Sequence, residues 1–455
     1  MFDQIVILSG WILNLIILAG YLLVVQSSLK ENRFRPLLVS SLLAIPLISL
    51  LTVLLLFPFD AKVLFFSLVL SVFLLLLAGV TIPFGKNPVL KIIGKQEKLD
   101  ERDALFHRFY TLHPGMPEFD EFYDSNPDLR NDDNEIRRLP RFEEAGSRSY
   151  HPLSSLYQKA LFDQIEFLSS GIETPPASQA QEVSTEEITR RLKGFSRYLG
   201  ASLVGTTRLN PNYIYSHVAR DADHWGEPIA LNHKYALVFA VEMSHKMVRH
   251  APWSEVITES AFQYLEAARI ATAVSRYIQL LGYDARAHID QNYRVMCVPI
   301  AVDAGLGELG RLGLLITPEF GPRVRLSVVT TELRLLQDQP VHFGVQDFCE
   351  ICKKCAVNCP SRSIDFGEKK VYRGVEKWQS RMENCFRFWR QQGSDCSICL
   401  KVCPYSHPDS LLHNLVRGAV RKNPLARRLA LWGDDLFYGR KPENEYSQEE
   451  WHKRV

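Results

Sequence analysis

Residues 1 to 85 are almost entirely apolar, and this feature limits the possible folds of the chain more than any other. Three runs carry no charge: Ile5–Val25, Leu37–Phe59 and Val63–Phe84. Each reaches the roughly 20 residues that a helix needs to cross the hydrocarbon core of a bilayer. Backbone groups inside lipid must find hydrogen-bond partners within their own segment, which leaves the helix as the available form. We therefore predict three transmembrane helices, with Pro46 tolerated as a kink and a hairpin turn at residues 60–62.

The charges around these runs predict their orientation. Basic residues stand between the first and second runs and after the third: Lys30, Arg33, Arg35, Lys86, Lys91, Lys95 and Lys98. Because basic residues collect on the cytoplasmic side, both positions should face the cytoplasm. Neither basic residues nor a twin-arginine pair precede the first run, which disfavours an export signal. We expect a multi-pass protein of the cell inner membrane with its soluble part in the cytoplasm.

From residue 86 onward the chain has the mixed composition of a water-soluble protein. A loop is predicted at Asn131–Glu135 and an exposed linker at Glu173–Val183. Hydrophobic patterns then predict helices over Glu186–Gly200 and Glu259–Leu281 and a buried strand over Tyr235–Val241. The expected fold class is mixed α+β and α/β. The formal net charge of +2 is too small for a general nucleic-acid binder, so no nucleic-acid partner is expected.

The patterns divide the chain into five segments. Residues 1–85 form the three-helix anchor and residues 86–190 a soluble segment that packs on the core. Residues 191–340 form an α/β domain, and residues 341–410 a domain of short elements rich in cysteine and proline. Residues 411–455 form a basic tail, helical at first, that completes the soluble core.

Eight of the nine cysteines form two clustered motifs. The first is Cys349-x2-Cys352-x2-Cys355-x3-Cys359-Pro360, which has the spacing of bacterial ferredoxins that hold cubane clusters. The second is Cys396-x2-Cys399-x3-Cys403-Pro404, in which Cys385, eleven residues upstream, stands in for the missing first ligand.

In this spacing the fourth cysteine of each motif binds the other cluster. The first cluster should therefore be bound by Cys349, Cys352, Cys355 and Cys403. The second should be bound by Cys359, Cys385, Cys396 and Cys399. Zinc sites or disulfides are the alternatives, but zinc motifs do not need such interleaving. Cys297 is left over as an inert buried thiol. Two [4Fe-4S] clusters would conduct single electrons, so the preceding domain should hold their acceptor.

Several stretches outside the cysteine motifs resemble one known family. The stretch from Val298 to Arg325 (VPIAVDAGLGELGRLGLLITPEFGPRVR) resembles the corrinoid-domain signature of reductive dehalogenases, and the similarity continues through Phe343–Cys349. His107–Asp128 (HRFYTLHPGMPEFDEFYDSNPD) and Asp434–Pro442 (DDLFYGRKP) are also similar to that family. The resemblance therefore covers essentially the whole soluble part.

The resemblance implies a nitroreductase-like, corrinoid-binding α/β domain beside a ferredoxin-like domain with two [4Fe-4S] clusters. The corrinoid should be base-off, in agreement with the absence of an Asp-x-His-x-x-Gly motif from the sequence. Gly305, Gly307 and Gly310 would let the backbone approach the flat macrocycle closely. These glycines do not match a dinucleotide fingerprint, because Gly313 and Pro318 leave no room for the helix that should follow.

The resemblance also implies a catalytic group. In reductive dehalogenases a tyrosine supplies a proton and a nearby basic residue lowers its pKa. The matching positions are Tyr264, Arg323 and Asn292, where Asn292 would orient a substrate hydroxyl or halide. Arg325 is an alternative to Arg323. Three other tyrosines compete with Tyr264: Tyr277, Tyr283 and Tyr293.

The expected function is membrane-anchored, corrinoid-dependent removal of halide from a small organohalide. We expect the electrons to come from a quinol-linked donor in the membrane and to pass through the two clusters. One alternative is an epoxyqueuosine reductase-like enzyme. The catalytic aspartate of epoxyqueuosine reductases would, however, fall where this chain has Met296. A second alternative is a non-catalytic electron-transfer ferredoxin of the membrane.

Overall fold

The computed structural model describes residues 2–56, 62–83, 87–142 and 144–443. The chain divides into two compact units. The smaller unit comprises Met1–Pro88, Asp347–Cys352 and His407–Lys441. The larger unit comprises Val89–Gln346, Lys353–Ser406 and Pro442–Val455. The five-segment division made from the sequence stays a prediction.

The smaller unit begins with three apolar helices among its described residues. They are α1 (Phe2–Glu31), α2 (Phe34–Leu56) and α3 (Lys62–Thr81). Stretches of 25, 23 and 19 residues in them are long and apolar enough to cross a membrane. Pro46 lies inside α2, as predicted. The predicted turn at residues 60 and 61, the ends of the second and third runs and Lys86 lie outside the described residues.

Small and polar side chains allow α1 to pack against its neighbours. A Cβ atom on Gly10 would lie 2.8 Å from a Leu55 methyl carbon and 2.9 Å from the Phe66 ring, so a larger residue would force these side chains to shift. Asn14 Nδ2 donates a hydrogen bond to Thr52 Oγ1 at 2.8 Å. Such close approach and interhelical hydrogen bonds hold helices together in lipid, where hydrophobic burial gives little driving force.

The larger unit starts with short elements. These are β1 (Lys91–Ile92), α4 (Leu105–Tyr110), α5 (Pro117–Ser125), α6 (Pro127–Arg137) and α7 (Ser155–Ser169). The loop predicted at Asn131–Glu135 is wrong, because these residues lie inside α6. Asp133 is fully buried and accepts hydrogen bonds from Arg108 and Tyr123. These tertiary contacts stabilise a helix whose local sequence is highly polar.

A four-stranded sheet and a long helix form the core of the larger unit. The elements are α8 (Thr185–Tyr198), β2 (Leu203–Arg208), β3 (Tyr235–Glu242), α9 (His245–Val248), α10 (Ser254–Leu280), β4 (Ala285–His288), α11 (Cys297–Asp303), β5 (Glu308–Leu309), β6 (Leu315–Ile316) and β7 (Val324–Thr331). The sheet order is β2-β3-β7-β4, and each neighbouring pair is antiparallel. The predicted helices and strand, and the irregular exposed linker at 173–183, are confirmed.

Both faces of the sheet are covered, as the alternation along β3 shows. Leu237 and Phe239 point into a core that includes the buried face of α10. Ala236 and Val238 point into a second core that includes α11. Successive residues of a strand face opposite sides of the sheet, so a strand buried on both faces is apolar throughout.

The cysteine-rich region consists of short elements. They are α12 (Val345–Cys352), α13 (Lys354–Val357), β8 (Lys370–Tyr372), β9 (Val375–Lys377), α14 (Met382–Gln392) and α15 (Ile398–Lys401). Strands β8 and β9 form a small sheet with β1 in the order β1-β9-β8. Lys353, Cys396 and Ser397 have positive φ, so the backbone turns sharply around the cysteines.

Two further helices belong to the smaller unit, α16 (Leu411–Lys422) and α17 (Pro424–Phe437). The predicted helical start of the tail is confirmed. Between them, the Asn423 side chain accepts hydrogen bonds from the backbone N–H groups of Leu425 and Ala426 and so caps α17. Its Nδ2 atom also donates to backbone carbonyls at the end of α3, including Gly79 and Ile82.

Candidate active site and cluster-binding cysteines

Tyr264 on α10 faces Arg325 on β7. The guanidinium carbon of Arg325 lies 4.9 Å from the centre of the Tyr264 ring. Burial raises the pKa of Tyr264 to about 12, and the positive charge of Arg325 opposes that rise. A cation over a phenol stabilises the phenolate, so this pair has the arrangement of a proton donor with its charge partner.

Arg325 is held in place by a buried network. Its Nη2 atom donates to Ser260 Oγ at 2.6 Å and to Asp395 Oδ2 at 3.0 Å. Asp395 precedes Cys396 in the chain, so two hydrogen-bonded side chains separate the Tyr264 ring from the cysteine motif. Burial raises the pKa of Asp395, and Arg325 opposes that rise.

Four side chains lie near Tyr264 and Arg325, and we infer that all six border an interior cavity: Arg220, Asp290, Tyr293 and Cys297. All four retain partial accessible surface. Burial nevertheless raises the pKa of Asp290, of Tyr293 and of Cys297, the last to about 12. Groups that are desolvated yet partly accessible must face an enclosed space rather than the outer surface. Enclosed sites of this kind bind small organic molecules.

The charges around the cavity are balanced by pairing. Arg220 Nε lies 2.6 Å from Oε1 of the fully buried Glu101. The guanidinium carbon of Arg220 lies 5.0 Å from the centre of the Tyr293 ring. Arg325 pairs with Asp395 at 3.0 Å. Within the described part of the chain the Tyr264 hydroxyl has no hydrogen-bond partner, so this group can bond to a molecule in the cavity.

The contacts of Arg323 differ from those expected for the partner of Tyr264. Arg323 is fully buried and donates to the Ser406 carbonyl at 2.7 Å, to Glu242 Oε1 at 3.0 Å and to the Met243 carbonyl. These bonds occupy its guanidinium with structural partners. Arg325, the sequence-based alternative, is the cation over Tyr264.

The described contacts of Asn292 also differ from the expected role. Its Oδ1 atom accepts a hydrogen bond from Arg286 Nη2 at 2.6 Å, and Arg286 also pairs with Glu173. The carbonyl of Asn292 is therefore engaged by Arg286. Contact between Asn292 and a substrate stays a prediction.

The three glycines predicted to contact a corrinoid have another reason to be glycine. A Cβ atom on Gly305 would lie 2.4 Å from the Gln339 carbonyl oxygen, and one on Gly307 would lie 2.2 Å from that of Ile316. One on Gly310 would lie 2.5 Å from the Ile316 side chain. Each glycine thus packs against the protein itself, and contact with a cofactor stays a prediction.

Sequence reasoning missed the acids and the arginine of the cavity. Asp290 lies two residues before Asn292, and Arg220 lies in an irregular segment far from any motif. Asp395 is the one group that a motif could have indicated, because it directly precedes Cys396. Nothing in the local sequence distinguishes the other two from ordinary surface residues.

Cysteines of both motifs lie near one another in the larger unit. The electrostatic environment of Cys399 includes Cys396, Cys385, Cys355 and Cys359, so the division of these thiols between two clusters stays a prediction from the sequence spacing. Burial raises the pKa of Cys385 to about 12 and raises those of Cys396 and Cys399. Buried thiols gathered in this way are suited to bind iron, because a metal keeps them deprotonated.

Cys359 differs from the other three. Burial raises its pKa, but hydrogen bonds from the Ser361 hydroxyl and from backbone N–H groups of Ile364 and Ser363 outweigh this, so its pKa is lowered overall. The Ser363 N–H lies 3.3 Å from Cys359 Sγ. Hydrogen bonds to cluster sulfurs are one of the factors that set a reduction potential.

The remaining four cysteines are divided between the units. Cys355 and Cys403 lie in the larger unit, whereas Cys349 and Cys352 lie in the smaller one. All four are buried. Their assignment to one cluster stays a prediction from the sequence spacing.

Comparison with known proteins agrees with the cysteine pattern and extends beyond it. Residues 348–407, which contain all eight motif cysteines, match the family of 4Fe-4S dicluster domains. The tetrachloroethene reductive dehalogenase of Sulfurospirillum multivorans is 33% identical over 290 residues, which cover 56% of this chain and 58% of that protein. The chain is a relative of the reductive dehalogenases. The resemblance found in the sequence is confirmed.

Other reductive dehalogenases give the same result. The tetrachloroethene enzyme of Desulfitobacterium hafniense is 33% identical over 303 residues, covering 56% of this chain and 54% of that protein. This chain thus spans between half and two thirds of the length of these relatives. A solved catabolic reductive dehalogenase in complex with 3-bromo-4-hydroxybenzoic acid shares the fold, with a TM-score of 0.65 and 24% identity over 79% of this chain and 49% of that one.

The epoxyqueuosine reductases match over a shorter stretch. The enzyme of Lactococcus garvieae is 30% identical over 137 residues, which cover 26% of this chain and 36% of that protein. Met296, at the position expected for their catalytic aspartate, packs against the hydrophobic core of the larger unit. This chain therefore has an apolar side chain at the position where an epoxyqueuosine reductase would need an acid.

Proposed function

We propose that this protein is a membrane-anchored reductive dehalogenase that uses a corrinoid and two [4Fe-4S] clusters to remove halide from an organohalide. One observation carries the proposal: Arg325 lies over the Tyr264 ring and is hydrogen-bonded to Asp395, the residue directly before Cys396. A proton donor and an electron-carrying module thus meet at one enclosed site in the larger unit.

The cysteines supply the electron path. Cys359, Cys385, Cys396 and Cys399 would hold one cluster, and Cys349, Cys352, Cys355 and Cys403 the other. The electrostatic influence of Cys396, Cys385 and Cys359 on Cys399 supports the first assignment, although Cys355 acts on Cys399 as well. Ferredoxin spacing supports the second. Each cluster carries one electron at a time, and the reaction needs two.

The side chains around Tyr264 suit the binding of an organic substrate beside the corrinoid. They combine a phenol, a thiol and paired charges, and the Tyr264 hydroxyl is left for a bound molecule. Gly305, Gly307 and Gly310 are the proposed backbone contacts of the macrocycle, and the absence of a cobalt-ligating histidine motif from the sequence supports the base-off form. When bound, a reduced corrinoid would supply the cobalt chemistry for cleavage of the carbon–halogen bond.

Tyr264 would donate the proton that replaces the halogen on carbon. The overall balance is one organohalide, two electrons and one proton giving one halide ion and the same compound with hydrogen in place of that halogen. Loss of the proton leaves a phenolate, which the guanidinium of Arg325 stabilises. Enclosure by protein limits the water that would otherwise consume the electrons by protonation.

The smaller unit would anchor the protein in the inner membrane by three spans, near a quinol-linked electron donor. Its apolar helices support the anchor. Basic residues between α1 and α2 and at Lys91, Lys95 and Lys98 support a cytoplasmic soluble part.

Anaerobic reconstitution tests the proposal. The protein is purified in detergent, loaded with iron and sulfide, incubated with cobamide and analysed for iron and cobalt. Halide release is then measured with reduced viologen, on tetrachloroethene and 3-bromo-4-hydroxybenzoic acid, which represent the substrates of its relatives. We expect about one cobalt per chain and cobamide-dependent release of halide.

Two outcomes would contradict the proposal, and each would favour one of the alternative functions. Full iron content without cobamide uptake would identify an electron-transfer ferredoxin. Cobamide uptake, turnover of epoxyqueuosine and no release of halide from a broad panel of brominated and chlorinated compounds would identify an epoxyqueuosine reductase-like enzyme.

A further inference from the structure

A group of metal-ligating side chains lies in the smaller unit, apart from the cysteine motifs. Glu31 is the last residue of α1, His407 lies between the cysteine-rich region and α16, and His413 is in the first turn of α16. One ligand atom from each of the three side chains lies within 4.8 Å of the others. Three separate segments of the chain thus bring a carboxylate and two imidazoles together.

The group is largely shielded from solvent. Glu31 is 4% exposed and His413 is 6% exposed, and the His407 side chain retains 18% of its accessible surface. His413 Nε2 lies 2.7 Å from Glu31 Oε1. Burying a carboxylate is costly unless it is paired with positive charge or binds a metal.

Neighbouring side chains fix the orientation of all three ligands. His407 Nε2 lies 2.6 Å from Asp434 Oδ1, and the His407 and His413 rings are stacked with centres 4.5 Å apart and planes 5° apart. Ser27 Oγ donates to Glu31 Oε1 at 2.8 Å. Metal-binding histidines commonly pass their second ring nitrogen to a carboxylate in this manner.

We propose that Glu31, His407 and His413 bind a divalent transition-metal ion, with zinc as the best-fitting ion, which links the end of α1 to residues 407–413. Two histidines and one carboxylate are a ligand set that zinc uses in proteins, with the fourth position open to water. Bonds of about 2.0–2.1 Å would place tetrahedral ligand atoms about 3.3 Å apart. The observed spacing of up to 4.8 Å therefore needs a contraction that small side-chain rotations can supply.

Zinc loading of the complete protein in detergent tests this site independently of the proposed function. Protein with filled iron–sulfur clusters is incubated with zinc, desalted and analysed for zinc and iron. We expect about one zinc per chain. X-ray absorption at the zinc edge should show nitrogen and oxygen ligands near 2.0–2.1 Å, whereas zinc misplaced in a cysteine site would show sulfur near 2.3 Å.

Variants assign the zinc to these residues. Glu31→Gln keeps the size of the side chain, and His413→Ala removes one imidazole; both should lose the stoichiometric zinc while keeping the iron content. His224→Ala is the matched control, because His224 is an exposed histidine whose ring lies 3.1 Å from Glu227 and 4.0 Å from Asp221. Its zinc content should equal that of the native protein.

Three results would overturn the metal site. The native protein could retain no zinc, the bound zinc could show sulfur ligands, or the zinc could persist in both Glu31→Gln and His413→Ala. Each would mean that the group is a hydrogen-bonded cluster of charged and polar side chains. None of them bears on halide release, so the proposed function would be unaffected.

Discussion

At the scale of single residues, two arginines two positions apart have different roles. Arg323 donates to Glu242, Met243 and Ser406, whereas Arg325 lies over Tyr264 and bonds to Asp395. Spacing from a motif locates such residues only to within one or two positions. The partners of each guanidinium come from elements distant in sequence. These partners decide which arginine lies over Tyr264.

We expect Tyr264→Phe to reduce halide release by about 10²–10⁴-fold, the range that a positioned general acid contributes. The phenol proton is lost while the ring and its contact with Arg325 are retained. Turnover is measured per cobalt, with iron and cobalt contents as checks. Tyr277→Phe is the matched control, because Tyr277 is on the same helix but packs in the hydrophobic core beside Phe195. Equal activity of both variants would remove Tyr264 from the proton-donor role.

Cys385 offers a second test at this scale, since it lies outside the regular motif spacing. Cys385→Ser should lower the iron content from about eight to about four atoms per chain, because one cubane loses a thiolate ligand. Iron and acid-labile sulfide are measured after anaerobic reconstitution. Cys297→Ser, which alters the cysteine outside both motifs, should leave the iron content unchanged. A full iron complement in Cys385→Ser would mean that another residue completes the cluster.

At the scale of elements, α6 shows how tertiary contacts overrule local sequence. Its residues are polar and contain a run that is typical of a loop, yet it is helical from Pro127 to Arg137. Proline at the first helical position favours helix entry. The buried Asp133 and Ile136 then fix the helix against the rest of the larger unit.

Asp133→Ala should destabilise the larger unit, because it leaves the buried Arg108 without its main partner. Breaking a buried ion pair costs about 3–5 kcal/mol, and Glu383, 3.2 Å from Arg108, offsets part of it. A loss of about 3 kcal/mol corresponds to a melting temperature lower by about 6–12 °C. Thermal unfolding in detergent measures this change in melting temperature. Asp132→Ala, at the exposed neighbouring position, should melt like the native protein, and similar melting of both variants would contradict the structural role of Asp133.

At the scale of the whole molecule, the chain combines three long apolar helices with a unit that shares the fold of a solved reductive dehalogenase. The three long apolar helices belong to the smaller unit, and the cavity with its tyrosine belongs to the larger unit. The chain spans 58% and 54% of the length of two tetrachloroethene relatives, so the anchor and the soluble part have to be tested together in this chain.

Cysteine labelling tests the orientation. Lys95→Cys, at an exposed position, should react with a membrane-impermeant maleimide in inverted membrane vesicles and stay unlabelled in intact cells. Ala61→Cys is the matched control and should show the opposite pattern, because the predicted hairpin turn faces outward. Labelling of Lys95→Cys from the outside would reverse the proposed orientation.

The sequence by itself determined the apolar helices, the cluster motifs, the linker at 173–183 and the family resemblance. These features depend on composition or on short spacings, which are read directly along the chain. The tertiary structure alone decided that Arg325 rather than Arg323 faces Tyr264, that 131–135 is helical, and that Asp290, Asp395 and Arg220 surround the tyrosine. It also brought Glu31 to His407 and His413. The physical reason is the same in each case: a buried polar group is positioned by partners remote in sequence, and local patterns contain no information about them.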